Sequence, residues 1–295
     1  MTAPQHIILV GAARSGTKMV RDALAEITGS GAVPYDIGYV WRYGNEDHPD
    51  DIIGPDQSSP RAVRFIQNFV DQYATGEPRT VIEKTVGNTM RVPLVAHTFR
   101  DATFIHLIRD GVDVAESTRR QWHAESDLRY LMHKARHFPL RLAPRYGTKY
   151  ALSIVRRRLG TDRRVGSWGP RYPGIDEDLR ERDLLTVCAR QWSQSILCAT
   201  GDFERLGLPV VEVRYESLVR DPTDELTRIA RACGLPVVDD RLKEVSRGIS
   251  AGRTGIGRSS LTATELASLD GEIGTLLTDL AYDRPQRPEG GDDQI

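Results

Sequence analysis

The sequence of 295 residues has only three cysteines, almost no net charge and no long hydrophobic run. Because the formal net charge is −1, the molecule as a whole has no bulk attraction to nucleic acid. No uncharged apolar run approaches the length of a membrane span, and no basic and then apolar leader precedes residue 6. Cys188, Cys198 and Cys233 are widely spaced in apolar contexts and predict buried free thiols in a reducing compartment. We therefore expect a cytoplasmic protein.

The chain does contain short apolar runs that alternate with amphipathic stretches. With 39% hydrophobic and 27% charged residues, it can bury a substantial core as one domain over residues 1–282. The repeated order of strand and helix predicts an α/β fold, in which helices flank a parallel sheet on both faces and ligands bind at the carboxyl ends of the strands. Residues 283–295, rich in Pro, Gly and Asp, are expected to form a disordered tail. The predicted strands lie near 6–10, 80–85, 102–108 and 209–215, and the predicted helices near 19–27, 62–73, 112–122, 184–199 and 224–232.

The first predicted strand, at 6–10, runs directly into a loop of small residues that precedes an amphipathic stretch. Small residues let the backbone curl around an oxyanion, and the first free N–H groups of the next helix point into that curl. The pattern is that of a phosphate loop and predicts a P-loop-like sheet. A nucleotide-hydrolysing loop ends in Gly-Lys-Thr, in which Lys reaches the outer phosphates and the hydroxyl holds magnesium. Here the order after the glycine is inverted, and an arginine lies two residues before it: the loop reads Arg14, Ser15, Gly16, Thr17, Lys18. The residues that usually bind magnesium and the outer phosphates are therefore misplaced.

A guanidinium and hydroxyls in this loop suit an anion that needs hydrogen-bond donors but no divalent metal. A sulfuryl group on a 5′-phosphate is such an anion. The loop resembles that of the sulfotransferases that use 3′-phosphoadenosine 5′-phosphosulfate (PAPS), whose 5′ loop commonly reads R-S-G-T. The resemblance implies PAPS as co-substrate, no metal, and a 5′-phosphosulfate held by Arg14, Ser15, Gly16, Thr17 and Lys18.

A second motif, Arg109–Ser117, follows the apolar strand that ends at Ile108. The turn residues Asp110 and Gly111 lead into a predicted helix that carries Ser117. The motif is similar to the R-D-x-x-D-V-x-x-S pattern of the sulfotransferases, whose Arg and Ser hold the 3′-phosphate. Arg109 and Ser117 have the spacing of that pattern. The resemblance implies that they hold the 3′-phosphate of PAPS.

Two further segments resemble the same family. The strand near 80–85 ends in E-K-T, which the family often carries there, and the resemblance implies that Lys84 reaches the oxygen that bridges phosphate and sulfate. The family's following Asn and Arg correspond to Asn88 and Arg91. The segment from Tyr215 is similar to the family's Y-E-x-L-x-x-D-P continuation, which we interpret as mainly architectural. The resemblance extends, with gaps, from about residue 6 to about residue 262.

Sulfuryl transfer also needs a base for the proton of the acceptor hydroxyl. Many members of the family place a carboxylate about twenty residues beyond the 5′ loop, and Asp36 is the best candidate by that resemblance. Glu83 is a rival carboxylate, although a residue inside an apolar strand is more often structural. The aromatic residues near Asp36 either line an acceptor cleft or belong to a strand that faces the core; they are Tyr35, Tyr39, Trp41 and Tyr43.

The last part of the resemblance is a loop rich in glycine and basic residues, Ser250–Ser260, which we call the late loop. In the family such a loop closes over the 3′-phosphate and adenine. We expect Arg258 to contact the phosphate, with Arg253 as the second candidate. A solvated surface loop would have the same composition.

The stretch at 129–182 is strongly basic, with fourteen Lys or Arg and five acidic residues. It predicts a helical insertion that is either simply solvated or acts as a lid over an anionic acceptor or against an anionic membrane surface. His133 and His137 have i, i+4 spacing, but without a third ligand they predict a helix face rather than a metal site.

Together these features predict a PAPS-dependent sulfotransferase that esterifies a hydroxyl of a small molecule, lipid or glycan. Asp36 and Lys84 are the expected catalytic residues. Two alternatives remain at this point: a magnesium-dependent nucleotide kinase, which the inverted order of Thr17 and Lys18 disfavours, and a nucleotide-binding protein that has lost the chemistry.

Overall fold

The computed structural model describes residues 3–123 and 169–286. The chain divides into two compact units, one formed by residues 1–119 and 170–295 and the other by residues 120–169. The first unit contains the sheet, and the fold is described for it. The basic stretch predicted at 129–182 lies mostly outside the described residues.

Five parallel strands form the sheet of the first unit, in the spatial order β2, β3, β1, β4, β5. In the central strand, Ile7, Ile8, Leu9 and Val10 are all fully buried, because helices cover both faces. The predicted α/β class is confirmed. The strands are β1 (Gln5–Gly11), β2 (Gly31–Ala32), β3 (Thr80–Glu83), β4 (Thr103–Ile108) and β5 (Val210–Arg214).

Five of the described helices correspond to the predicted amphipathic stretches, with longer bounds at several ends, and the others were not predicted. They are α1 (Thr17–Thr28), α2 (Gly38–Trp41), α3 (Pro60–Asp71), α4 (Val92–Thr98), α5 (Gly111–His123), α6 (Ile175–Glu181), α7 (Leu184–Leu206), α8 (Tyr215–Arg220), α9 (Pro222–Ala232), α10 (Asp239–Gly248), α11 (Ile256–Ser260) and α12 (Ala263–Asp279). Short 3₁₀ turns lie at Pro55–Gln57 and Val86–Met90. Within the described residues, no helix is both long enough and apolar enough to span a membrane.

Helix α1 shows why these elements form. Gly16 precedes it with φ 95°, and Gly29 ends it with φ 70°, left-handed conformations that favour glycine. Its buried residues, among them Val20, Leu24 and Ile27, recur at helical spacing and pack in the core with Leu9 and Leu107 of the sheet.

Two segments differ from the sequence prediction. The aromatic alternation around Tyr39 is a turn and the short helix α2, not a strand, because the side chains pack against α3 rather than across a sheet. At the other end of the chain, Asp283 and Arg284 belong to the segment predicted as a tail, but their carbonyl oxygens accept hydrogen bonds from Arg258. Residues 287–295 lie outside the described part of the chain.

The strand order determines where a ligand can bind. The chain moves from β1 to one edge of the sheet through β2 and β3, and then returns past β1 to β4 and β5. In open α/β sheets the crevice at such a reversal is the ligand site, at the carboxyl ends of the two strands. The first phosphate loop follows β1 and the second motif follows β4, so the fold places them side by side.

Candidate active site

The loop after β1 has the backbone of an anion-binding turn. Gly16 caps α1, and a Cβ at this position would lie 2.8 Å from the Tyr215 ring, so the turn requires glycine. The N–H groups at the helix N-terminus attract negative charge. Ser15 is buried, whereas Lys18 is exposed on the first turn of the helix.

Arg14 joins this loop to the second motif. Its Nε donates a hydrogen bond to Oγ of Ser117 over 3.1 Å. Its backbone is left-handed, with φ 68°, which is uncommon for a residue other than glycine and costs roughly 1–2 kcal/mol. The backbone therefore holds the guanidinium at the junction of the two motifs despite a local energetic cost.

Arg109 is buried and connects three segments of the chain. Its Nη1 donates to the carbonyl oxygen of Arg14 over 3.1 Å, and its Nη2 donates to the carbonyl oxygen of Arg253 in the late loop over 2.5 Å. The guanidinium stacks over the Tyr215 ring, 4.2 Å from its centroid. Sequence reasoning assigned Tyr215 only an architectural role, and its place beneath Arg109 was missed.

Two buried donors in these loops have no hydrogen-bond partner among the described residues: Oγ of Ser15 and Nε of Arg109. Native structures pair most buried polar groups, because an unpaired one costs about 1–3 kcal/mol. A ligand with anionic oxygens at this place would satisfy donors of this kind.

The late loop is attached to the second motif through two carboxylates. Asp113 accepts the backbone N–H groups of Gly255 and Gly257 over 2.8 and 2.7 Å, and Asp110 binds the guanidinium of Arg258 over 2.9 Å. All three nitrogens of Arg258 have protein acceptors, whereas Arg253 is exposed. The guanidinium of Arg258, which the sequence favours as the phosphate contact, is therefore bound to protein groups, whereas the side chain of Arg253 is exposed.

Trp192 of α7 fixes the start of α5. Its Nε1 donates to the carbonyl oxygen of Arg109 over 3.1 Å. A Cβ at Gly111 would lie 2.7 Å from the indole ring, so the glycine lets helix and ring approach closely. No local pattern in the sequence could have indicated this contact.

Asp36 and Lys84, the two predicted catalytic residues, lie together. Nζ of Lys84 is 3.6 Å from Oδ2 of Asp36. The carboxylate also accepts the backbone N–H groups of Gly38 over 3.1 Å and Val86 over 2.9 Å, which fix its orientation. A carboxylate and an ammonium group thus meet just beyond the carboxyl end of β3.

Glu83, the rival carboxylate, is fully buried and accepts hydrogen bonds from three side chains. The donors are Nε1 of Trp41 at 3.3 Å, Oγ1 of Thr85 at 2.6 Å and Nδ2 of Asn88 at 2.9 Å. Burial raises the pKa of Glu83 to about 7, although the hydrogen bonds from Thr85 and Trp41 oppose the shift. Glu83 therefore joins α2 to the segment that follows β3.

Arg91, which the resemblance included without a role, is part of a buried ion-pair network. Its Nη2 lies 2.6 Å from Oδ1 of Asp51, which also pairs with Arg42 at 2.9 Å. Burial alone would raise the pKa of the Asp51 carboxyl, but Arg91, a backbone N–H of Arg171 and Arg42 together hold it below its ordinary value. The network links the segment that follows Asp36 to the segment that follows Lys84.

The aromatic side chains near Asp36 are mostly interior. Tyr35, Tyr39 and Trp41 are buried, and the hydroxyl groups of Tyr35 and Tyr39 lie 3.2 Å apart. Tyr43 is half-buried and contacts Phe65. Of the two interpretations, packing in the core holds for the three buried residues.

His133 and His137 lie outside the described residues. In the part that is described, no group of three His, Cys, Asp or Glu side chains could hold a metal ion. Cys188, Cys198 and Cys233 are free thiols; Cys188 and Cys233 are buried as predicted, whereas Cys198 is half-buried.

Comparison with known proteins agrees with this geometry. Residues 41–163 match the sequence model of the sulfotransferase family, a range that includes the second motif but not the first loop. A comparison with curated protein sequences finds no match. The fold is similar to that of sulfotransferase STF9 from Mycobacterium avium, at 11% identity and a TM-score of 0.54, covering 97% of this chain and 79% of that chain. It is also similar to the sulfotransferase domain of the Synechococcus PCC 7002 olefin synthase, at 18% identity and a TM-score of 0.50, covering 96% and 97%.

At these low identities the structural likeness shows only the fold. The sequence match is separate and covers the middle of the chain, residues 41–163. The two findings agree with the resemblance seen in the motifs. Residues 41–163 are thus similar to the sulfotransferase family in sequence, and the described fold is similar to that of two sulfotransferase structures.

Proposed function

We propose that this protein is a sulfotransferase that uses PAPS as donor and transfers the sulfuryl group to a hydroxyl of a small molecule, lipid or glycan. The observation that carries the proposal is the contact of Arg14 with Ser117, over 3.1 Å, because it unites the two motifs in one site. Oγ of Ser15 and Nε of Arg109 are buried and have no hydrogen-bond partner among the described residues, which supports an anionic ligand in this site.

We assign the 5′-phosphosulfate to the loop before α1. The N–H groups of the first helical turn and the Ser15 hydroxyl are its hydrogen-bond donors. Thr17 and Lys18 complete the set, and Lys18 is exposed and able to turn toward an anion. These groups favour negative charge without a divalent ion.

We assign the 3′-phosphate to Arg14, Ser117 and Arg109, which meet at the start of α5. Arg253 in the late loop is the additional cation in this assignment. It is preferred to Arg258 because the guanidinium of Arg258 already binds Asp110 and the carbonyl oxygens of Asp283 and Arg284.

Asp36 is proposed as the base and Lys84 as the group that stabilises negative charge. PAPS supplies an activated sulfuryl group whose departure leaves charge on a phosphate oxygen. A carboxylate that takes up the acceptor proton and an ammonium group near the leaving oxygen both lower the barrier, and here they lie 3.6 Å apart. The Asp36 side chain is 27% exposed and accessible to an acceptor, whereas Glu83 is completely buried.

We also propose the cytoplasm as the compartment of this enzyme. The support is chemical: Cys188, Cys198 and Cys233 are all free thiols, which a reducing compartment preserves.

The proposed function is tested with radiolabelled PAPS and a panel of phenols, alcohols and glycans. The expected result is a labelled ester with at least one acceptor, together with stoichiometric release of adenosine 3′,5′-bisphosphate. Binding of the bisphosphate without transfer to any acceptor would favour a protein that has lost the chemistry. Transfer of phosphate from ATP to the same acceptors would favour a kinase.

A further inference from the structure

Asp113 binds the late loop from within the second motif. Its Oδ2 accepts the N–H of Gly255 over 2.8 Å and its Oδ1 accepts the N–H of Gly257 over 2.7 Å. The carboxylate is almost completely buried, and its Oδ2 lies 3.4 Å from Nη2 of Arg109. One side chain therefore fixes both the start of α11 and the arginine beside the proposed 3′-phosphate site.

The backbone of the late loop approaches α5 very closely at Gly257. A Cβ there would lie 2.6 Å from the carbonyl oxygen of Val112 and 2.9 Å from the nitrogen of Asp113. Real Cβ atoms do not come this close, so any side chain at 257 would push the loop away. The position of the late loop therefore depends on the glycine at 257 as well as on the Asp113 carboxylate.

We propose that Asp113 is a positioning residue that holds the late loop against the second motif and thereby gives the site its preference for a 3′-phosphate. The inference rests on the proposed function. Asp113 itself does not contact the phosphate, because a buried carboxylate would repel it. Its bonds to Gly255 and Gly257 are made with backbone groups, and their effect is to place Arg253 and the rest of the loop.

Two variants of the full chain separate the loop position from the charge of Asp113. Asp113→Asn leaves one acceptor oxygen for two backbone donors, and Gly257→Ala displaces the loop while the carboxylate remains. Gly248→Ala is the control, because a Cβ there, at the end of α10, meets no atom within 4 Å. For each protein we would measure the affinity for adenosine 3′,5′-bisphosphate and for AMP, and hydrogen exchange of a peptide over residues 250–260.

The expected result is that Asp113→Asn and Gly257→Ala weaken binding of the bisphosphate about tenfold or more, since a hydrogen bond to a charged group contributes roughly that much. Binding of AMP changes less than about twofold, exchange in 250–260 accelerates, and Gly248→Ala behaves like the wild type. If Asp113→Asn does not fold, Gly257→Ala still tests whether the position of the late loop sets the preference for the 3′-phosphate, and an unchanged preference in that variant overturns the inference.

The inference is overturned if the folded variants keep the wild-type ratio of the affinities for the bisphosphate and AMP, whether both affinities are unchanged or both fall equally. A different outcome tests the proposed function: if the wild type itself binds AMP as tightly as the bisphosphate, the 3′-phosphate site is wrong, whatever Asp113 does.

Discussion

Nε of Arg14 donates a hydrogen bond to Oγ of Ser117 over 3.1 Å, although 103 positions separate the two residues in the chain. Each residue belongs to a different phosphate motif, one after β1 and the other after β4. Because these strands are neighbours and parallel, their carboxyl ends open on the same crevice. The contact brings the two motifs together at Arg14.

Replacement of Arg14 is expected to weaken ligand binding and to affect folding differently with Ala and Gly. Both variants lose the guanidinium, so each should bind adenosine 3′,5′-bisphosphate about 2–4 kcal/mol more weakly. Glycine tolerates the φ of 68° and alanine does not, so Arg14→Gly should be more stable than Arg14→Ala by about 1 kcal/mol. Calorimetric titration and urea unfolding measure the two effects. Equal stability of the variants would mean that the backbone at Arg14 is not strained.

Asp36→Asn is expected to lower the transfer rate about 10²-fold to 10⁴-fold while donor affinity stays nearly unchanged. The amide nitrogen cannot accept a backbone N–H as the carboxylate does at Gly38 and Val86, so a stability loss of about 1–3 kcal/mol should accompany it. Rates are therefore compared per folded molecule.

Glu83→Gln is the matched control for Asp36→Asn. It should lose stability, because one carboxylate oxygen becomes an amide nitrogen that faces either the donors of Trp41 and Thr85 or the donor of Asn88. Its folded fraction should nevertheless retain turnover. A folded Glu83→Gln enzyme that binds donor but is inactive, beside an active Asp36→Asn enzyme, would reverse the two roles.

His106 is expected to make the fold sensitive to acid. Burial in β4, reinforced by the charge of Arg214, lowers its pKa to about 4, so the folded state holds the ring neutral. The unfolded chain binds a proton below about pH 6.5. The stability that depends on the neutral ring is therefore complete above that pH and is lost as the pH falls through 4, by about 3 kcal/mol in all.

Glu83 acts in the opposite direction in the same range, because burial raises its pKa to about 7 and its protonation favours the folded state as the pH falls. The effect of His106 is therefore measured as a difference between proteins. Urea unfolding of the wild type and of His106→Leu at pH 7 and pH 4 should show that the wild type loses about 3 kcal/mol more stability than the variant between these two pH values. Parallel curves would show that His106 does not titrate on unfolding.

Transfer activity is expected to survive a chelator. In the proposed site Lys18 and Lys84 supply, at the 5′-phosphosulfate, the positive charge that magnesium supplies in a kinase. An assay with radiolabelled PAPS in excess EDTA should give the same rate as one with added magnesium. Complete loss in EDTA with recovery on addition of magnesium would contradict this assignment.

The parts of the site that the sequence predicts are those encoded in contiguous segments. Each of three segments combines the end of a strand with the polar residues of the candidate site within a few positions: the loop at Arg14, the E-K-T at Lys84 and the motif at Arg109. The sequence pattern and the chemistry therefore appear together. The buried strands β1, β3 and β4 are equally local, because uninterrupted apolar runs mark them.

Contacts between distant segments could not be predicted in the same way. Asp113 binds backbone groups more than 140 positions away, and Trp192 reaches the carbonyl of Arg109 from another helix. The strand β2 has two residues and carries no periodicity. The aromatic alternation around Trp41 imitates a strand, but its side chains fill the space between α2, α3 and Glu83, and tertiary packing overrides the local pattern.

The most direct test of the central claim is a calorimetric titration of the wild-type protein with three ligands: adenosine 3′,5′-bisphosphate, AMP, and ATP with magnesium. A site built from Arg14, Ser117 and Arg109 should bind the bisphosphate about 30-fold to several hundredfold more tightly than AMP. This ratio corresponds to the free energy of about 2–4 kcal/mol expected for charge-assisted contacts to one phosphate. ATP with magnesium should bind no better than AMP. Tighter binding of ATP with magnesium than of the bisphosphate would contradict the account.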